Sequence, residues 1–203
     1  MKTLQFNAYS FTELSDTAKE KARQWWRESD EFNADFVFED AETIGGFIGL
    51  SEMKIQYTGF CSQGDGACFN ASWRAADVKP GKLVEYAPKD STLKNIAADF
   101  ERIAKEFPHA SFTVRQRGYY YHENCTEFCV YISDENDDAI EPPAADQAEK
   151  DLIEAAKSFM HWIYRTLEKE YEYQNSDACV DENIIANDYL FTESGKRTVT
   201  LND

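Results

Sequence analysis

The chain has 203 residues, of which 42% are hydrophobic and 14% aromatic, a composition typical of a folded globular protein rather than a disordered one. Its 38 acidic side chains against 21 basic ones give a formal net charge of -17, which opposes direct binding to nucleic acid or to an anionic membrane and permits attraction to a basic partner. The sequence has neither an apolar run near the ~20 residues of a membrane span nor a signal-peptide pattern, so we expect a cytoplasmic protein. The five cysteines, an odd number at scattered positions, are expected to be reduced thiols.

Two amphipathic helices are predicted in the first quarter of the chain. The first spans about 15–29 and contains two adjacent tryptophans. We expect core packing for this pair, with Trp26 as the alternative anchor for a partner because tryptophan is enriched at binding hot spots. The second helix begins at Asp35, has Ile48 on its apolar face and ends at Gly49.

Two β-hairpins are predicted at the centre of the fold. The first spans about 54–74 and turns at 64–66, where two glycines supply the positive φ angles that a tight reversal needs. The second runs over 112–121 and returns over 126–132. Between them, the helix 90–107 has the most regular apolar stripe in the chain and is expected to cover one face of the sheet.

The remaining segments complete an α+β fold. Residues 133–145 form an acidic linker that contains two prolines, and a long helix is predicted over 146–174. Shorter elements are predicted near the termini: an edge strand over 1–6, a helix over 181–186, and a weak hairpin of 189–192 with 198–201. We therefore expect one domain over 1–203, with an antiparallel sheet of about four strands, helices on one of its faces, and a long C-terminal helix.

The two hairpin turns supply a candidate ligand site, because a shared sheet would bring them close together. The side chains concerned are Ser62, Gln63, Asp65, Arg115, Arg117, Tyr119, Tyr121 and His122. Arginines interleaved with tyrosines stack bases and neutralise phosphates, so a small ligand or nucleotide is one interpretation, and a hydrolase that uses Ser62, Asp65 and His122 is another. The alternative is that these polar residues cap the turns and pair across strands. We assign no catalytic residue.

A zinc site in the same region is a weaker interpretation. His122, Cys125 and Cys129 follow an H-x2-C-x3-C pattern, and Cys61 with Cys68 would come from the facing hairpin. Neither cysteine pair has the tight spacing of familiar zinc ribbons, and we expect Cys129 to pack inside its strand. We therefore predict no metal and no cofactor.

Carboxylates cluster along the chain and provide candidate partner-binding residues. A first group is Glu39, Asp40 and Glu42, and a second is Asp134, Glu135, Asp137 and Asp138. A third group, Glu168, Glu170 and Glu172, lies near the end of the long helix. Such groups complement the basic groove of a nuclease, repressor or defence complex, although solvated faces and solubility also account for acidic runs.

Three segments resemble a family of small acidic proteins encoded by phages and prophages, whose members are labelled antitoxins of toxin-antitoxin systems. The segments are Phe11-x-Glu13-Leu14-Ser15-Asp16 with Ala18 to Ala22 and Trp25-Trp26-Arg27-Glu28, then Gly59-Phe60-x-Ser62 to Phe69, and Arg117-Gly118-x-Tyr120-Tyr121-His122. The resemblance implies a bacterial or phage source, an intracellular setting and a role in conflict between phage and host. With the charge, it predicts a non-enzymatic accessory protein that binds and inhibits a basic toxin, nuclease or defence protein.

Overall fold

The computed structural model describes residues 7–133 and 143–198. The helices are α1 (Asp16–Ser29), α2 (Asp35–Phe47), α3 (Lys82–Tyr86), α4 (Ser91–Glu106), α5 (Ala144–Gln174) and α6 (Asp177–Ala186), with a 3-10 turn at Phe11–Glu13. The strands are β1 (Tyr9–Ser10), β2 (Ile48–Tyr57), β3 (Ala67–Val78), β4 (Ser111–Gln116), β5 (Thr126–Tyr131) and β6 (Leu190–Phe191). The predicted α+β class and the long helix near the C-terminus are confirmed.

Strands β2 to β5 form one antiparallel sheet in the order β2-β3-β4-β5. Both predicted hairpins are present, but the first is longer than expected. Ile48, predicted as the last apolar position of a helix, is instead the first residue of β2, so no connecting residue separates α2 from the sheet. Gly49 makes this possible: its φ is 90°, and a Cβ there would lie 2.8 Å from the carbonyl oxygen of Arg74.

One face of this sheet forms the larger core. Trp73 is fully buried, stacks on Phe112 with ring centroids 5.4 Å apart, and donates its indole N–H to the carbonyl of Ile48 at 2.7 Å. Helix α4 contributes Phe100, whose ring centroid lies 5.7 Å from that of Trp73. Helix α5 covers the same face, with Phe159 5.9 Å from Phe69. Alternation along the strands therefore leaves polar side chains on the opposite face.

The chain divides into two compact units, one comprising 34–168 and the other 1–33 with 169–203. In the second unit, β1 pairs with β6, and α1 and α6 enclose a small core that includes Phe11, Val180 and Phe191. Helix α6 begins four residues earlier than predicted, because the Ser176 hydroxyl accepts the backbone N–H of Cys179 and caps it. The single domain over 1–203 stays a prediction.

Some predicted elements fall partly or wholly outside the described residues. The edge strand over 1–6 and most of the 133–145 linker belong to this group, as does the last part of the C-terminal hairpin. The described part of that hairpin turns as predicted, with an antiparallel bridge between Phe191 and Arg197. Among the described helices, none has the length and apolar character needed to cross a bilayer.

Candidate functional site

Helix α2 presents a concentration of negative charge. It carries four carboxylates and no lysine or arginine. These carboxylates are Asp35, Glu39, Asp40 and Glu42. The inward positions of the helix are Val37, Ala41 and Ile44, which are all buried. Helical spacing therefore places the acidic residues on the outward face and its flank.

Phe36 lies on the flank of this outward face, one position before the buried Val37, and is 81% exposed. Residues three and four positions apart are neighbours on a helix, so the ring is adjacent to Glu39 and Asp40. An aromatic ring that stays mostly in water gains little from folding, and its placement among carboxylates is the feature of α2 that packing does not explain. The sequence did not identify it, because Phe36 lies off the apolar stripe of Val37, Ala41 and Ile44, and tertiary packing decides whether another element covers a residue at that position.

Helix α3 extends this surface with a second aromatic side chain. The hydroxyl of Tyr86 donates to Asp40 Oδ1 at 2.6 Å, and this hydrogen bond raises the pKa of Tyr86. The Tyr86 ring is 50% exposed and meets Phe47 edge-on with centroids 5.5 Å apart. We call the group formed by Phe36, Glu39, Asp40 and Tyr86 the acidic–aromatic surface.

The basic residues around this surface are few, and they interact with other side chains. Lys82 of α3 is paired with Glu85 at 2.8 Å, and Lys79 lies 5.9 Å from the centre of the Phe47 ring. Within the described ranges, no ion pair joins a lysine or arginine to Glu39 or Asp40. The acidic–aromatic surface therefore retains its negative charge.

The other predicted partner-binding residues are placed differently. Trp26 is half-buried in the smaller unit, where its ring lies 5.8 Å from that of Tyr189 and packs against the apolar cluster. Trp26 is thus less available to a partner than Phe36. The four acidic residues Asp134, Glu135, Asp137 and Asp138 lie outside the described residues.

The two hairpin turns do lie side by side, as predicted. A Cβ at Gly66 would lie 2.6 Å from His122 Cδ2, so only glycine fits at this contact. Asp65, however, directs its carboxylate into its own turn, where Oδ2 accepts the backbone N–H groups of Ser62 at 2.7 Å and Cys61 at 2.9 Å. Asp65 therefore acts as a turn cap, which is the alternative interpretation of this residue.

Arg117 and His122 of the predicted ligand site have partners within their own hairpin. Arg117 is paired with Glu127 at 2.5 Å, Tyr119 is 88% exposed, and His122 Nδ1 accepts the backbone N–H of Asn124 at 3.1 Å. No hydrogen bond links Ser62 or Asp65 to His122 within the described part of the chain. Arg115 alternates with the buried Val114, so its side chain lies on the open face of the sheet.

The cysteines do not form one cluster, although Cys125 lies close enough to Cys68 to affect its pKa. Cys68 is buried, and its burial, with smaller effects from Cys125 and Glu123, raises its pKa to about 12. Cys61 is exposed, and so is Cys129, which corrects the expectation that Cys129 packs inside its strand: its side chain lies on the open face of the edge strand β5. Across the described ranges, no three histidine, cysteine or acidic side chains are placed to hold a metal ion.

Comparison with protein-family models matches residues 33–177, a stretch that contains the whole larger unit with its sheet and the acidic–aromatic surface. Comparisons with curated proteins and with solved structures produced no match. The match covers more than half of the chain, and the chain belongs to the family described as Domain of unknown function (DUF8835).

Proposed function

We propose that this protein is a non-enzymatic binding protein that holds a basic protein partner on its acidic–aromatic surface. The observation that carries the proposal is Phe36, an 81% exposed aromatic ring on a helix that has four carboxylates and no basic residue. Aromatic side chains, phenylalanine included, are enriched in the cores of protein–protein interfaces.

The chemistry of the surface selects a particular kind of partner. An arginine or lysine placed over an aromatic ring gains roughly 0.5–2 kcal/mol, and the neighbouring carboxylates accept charge-assisted hydrogen bonds from the same cation. The net charge of -17 adds long-range attraction, which raises the association rate of a basic protein. The partner is therefore an arginine-rich or lysine-rich surface.

The resemblance to phage and prophage proteins narrows the proposal further. We propose that the protein acts in the cytoplasm of a bacterial host as an antitoxin or anti-defence factor, and that the basic partner is a toxin, a nuclease or another protein that handles nucleic acid. Occupying a basic groove with carboxylates blocks the access of nucleic acid to that groove, which is how such binding would inhibit the partner.

A salt-dependent capture experiment tests this proposal. The immobilised protein is exposed to a bacterial lysate, and bound proteins are eluted with increasing salt. We expect a basic protein to be retained at low salt and released at moderate salt, because salt screens exposed charge contacts. The Phe36→Ala variant should no longer retain this protein. The control variant Tyr119→Ala should still retain it, since Tyr119 is a similarly exposed ring that lies between β4 and β5 and does not belong to the acidic–aromatic surface.

Two results would contradict the proposal. One is retention of the same protein by Phe36→Ala and by the double variant Glu39→Gln, Asp40→Asn at wild-type strength. The other is retention of only acidic proteins, because the surface has no chemistry that selects them.

A further inference from the structure

The open face of the larger sheet contains a groove. It lies over β2, β3 and β4, on the side opposite Trp73 and Phe112, and has a volume of about 480 Å³. Its floor is polar, with Asn70 and Ser72 from β3 and Thr113 from β4. This volume lies within the roughly 300–1,000 Å³ range of small-molecule sites.

A β-bulge in the edge strand determines which side chain lines the rim. Ser51 pairs with Ser72, but the next paired residues are Lys54 and Asn70, so β2 has one more residue than β3 over this interval. The bulge includes Glu52, whose backbone adopts a φ of 54°. In a regular strand, residues three positions apart lie on opposite faces. The bulge changes this alternation and places Lys54 on the same face as Ser51.

The strand register then aligns three hydrogen-bond donors across the groove. Lys54 is opposite Asn70, and the pairing of Ala71 with Val114 puts Asn70 beside Arg115. Neighbouring strands are about 5 Å apart, so the two cations flank Asn70 with their backbones about 10 Å apart. Asn70 Oδ1 accepts the backbone N–H of Gln116 at 2.7 Å, which leaves its amide N–H groups as donors to the groove. The hydroxyls of Ser72 and Thr113 form the next row.

The charges around this row favour an anion. No ion pair involves Lys54 or Arg115 among the residues that the structure describes, although the chain has 38 acidic side chains against 21 basic ones. Glu127, opposite Arg115 on β5, is paired with Arg117 at 2.5 Å, and Glu52 lines the rim without an ion pair in the described part of the chain. The two cations therefore have no carboxylate partner among the described residues of a protein that has a surplus of carboxylates.

We propose that this groove binds a small molecule through a phosphate monoester, with Lys54, Asn70 and Arg115 as the principal ligands of the phosphate. A phosphate monoester carries up to two negative charges and three terminal oxygens, which match two cations, one amide and two hydroxyls, whereas a carboxylate offers one charge and two oxygens. The groove extends beyond the phosphate position and accommodates the rest of a small ligand. This site is separate from the acidic–aromatic surface and goes beyond the function proposed above.

Nuclear magnetic resonance titration of the full chain tests the proposal. The probes are inorganic phosphate, adenosine 5′-monophosphate, adenosine and acetate. We expect saturable shifts of the Asn70, Ser72 and Thr113 amides with the two phosphate probes, and no saturable shift at these residues with adenosine or acetate. Lys54→Gln and Arg115→Gln should each weaken phosphate binding by about tenfold or more, the effect of losing one charge-assisted hydrogen bond.

A control on the same sheet face separates a built site from a diffuse positive field. Arg74 lies on this face, is 68% exposed and is held by Asp77 at 2.7 Å, outside the groove. Arg74→Gln should change phosphate affinity less than twofold if the site is specific, an effect well below the tenfold loss above. Equal losses in Arg74→Gln and Arg115→Gln, equal binding of acetate and phosphate, or the absence of saturation would each overturn the proposal. Phe36→Ala should leave the titration unchanged, so a failure here is distinguishable from a failure of the protein-binding function.

Discussion

Replacing Phe36 with alanine separates a role in binding from a role in folding. Because Phe36 is 81% exposed, only about a fifth of a side-chain area of roughly 200 Å² is removed from water, or ~40 Å². At ~25 cal/mol per Å², this burial contributes about 1 kcal/mol, and the higher helix propensity of alanine offsets about half of it. The free energy of unfolding should fall by less than about 1 kcal/mol, which corresponds to a fall in melting temperature of about 4 °C or less.

The expected effect on binding is much larger. If Phe36 is the anchor of the acidic–aromatic surface, its truncation should cost about 2 kcal/mol or more in affinity, which is roughly 30-fold. Affinity is measured by calorimetry with an arginine-rich peptide, and stability by thermal unfolding followed with circular dichroism.

Phe100→Ala is the matched comparison for stability. Its ring is fully buried, so truncation should cost about 3–5 kcal/mol. A fall in melting temperature for Phe36→Ala that approaches the fall for Phe100→Ala would show that the Phe36 ring supports the fold, and an unchanged affinity for the peptide would show that it is not an anchor. Either result refutes the reasoning.

Three further predictions concern single groups in the larger unit. Asp65→Ala should lower the free energy of unfolding by about 1–2 kcal/mol in urea titration, because two backbone N–H groups lose their acceptor; no change would refute the role of turn cap. Asp40→Asn should lower the pKa of Tyr86 toward its ordinary value, since it replaces the charged acceptor that stabilises the neutral phenol with a neutral one. Ultraviolet titration of tyrosinate against wild type would detect the change, and an unmoved titration curve would contradict it. At about pH 8, slightly below the ordinary thiol pKa, a thiol reagent should label the exposed Cys61 and spare Cys68, which is buried and has a raised pKa. Peptide mass measures the labelling, and equal labelling of the two cysteines would contradict the burial of Cys68.

Much of the fold was accessible from local sequence patterns. Helix α4 followed from its apolar spacing and from Asp90, whose carboxylate accepts the backbone N–H of Leu93 at 2.9 Å as an N-cap. The two hairpins followed from turn residues and alternation, and the capping role of Asp65 was one of two interpretations of its turn. These features depend on neighbours within a few residues, which is why the sequence predicts them.

The features that define the proposed sites depend on tertiary placement instead. Ile48 continues the helical spacing of α2, yet β-pairing with Val78 makes it a strand residue. The spacing of Val37, Ala41 and Ile44 indicates the buried side of α2 and leaves Phe36 off it, but the sequence does not show whether another element covers the Phe36 ring. The alignment of Lys54 with Arg115 requires both the bulge at Glu52 and the register of three strands. Pairwise register at long sequence separation is not encoded in any short window.

The direct passage from α2 into β2 has a consequence for recognition. With no loop between helix and strand, and with Gly49 packed against the backbone of Arg74, the helix has no hinge at this end about which to reorient. Its carboxylates and its exposed ring are therefore held in a fixed arrangement before any partner arrives, and association loses little conformational entropy on this side of the interface. Specificity then depends on the match of the partner to a rigid template, and an insertion between residues 47 and 48 would weaken binding even if every side chain of the template were kept.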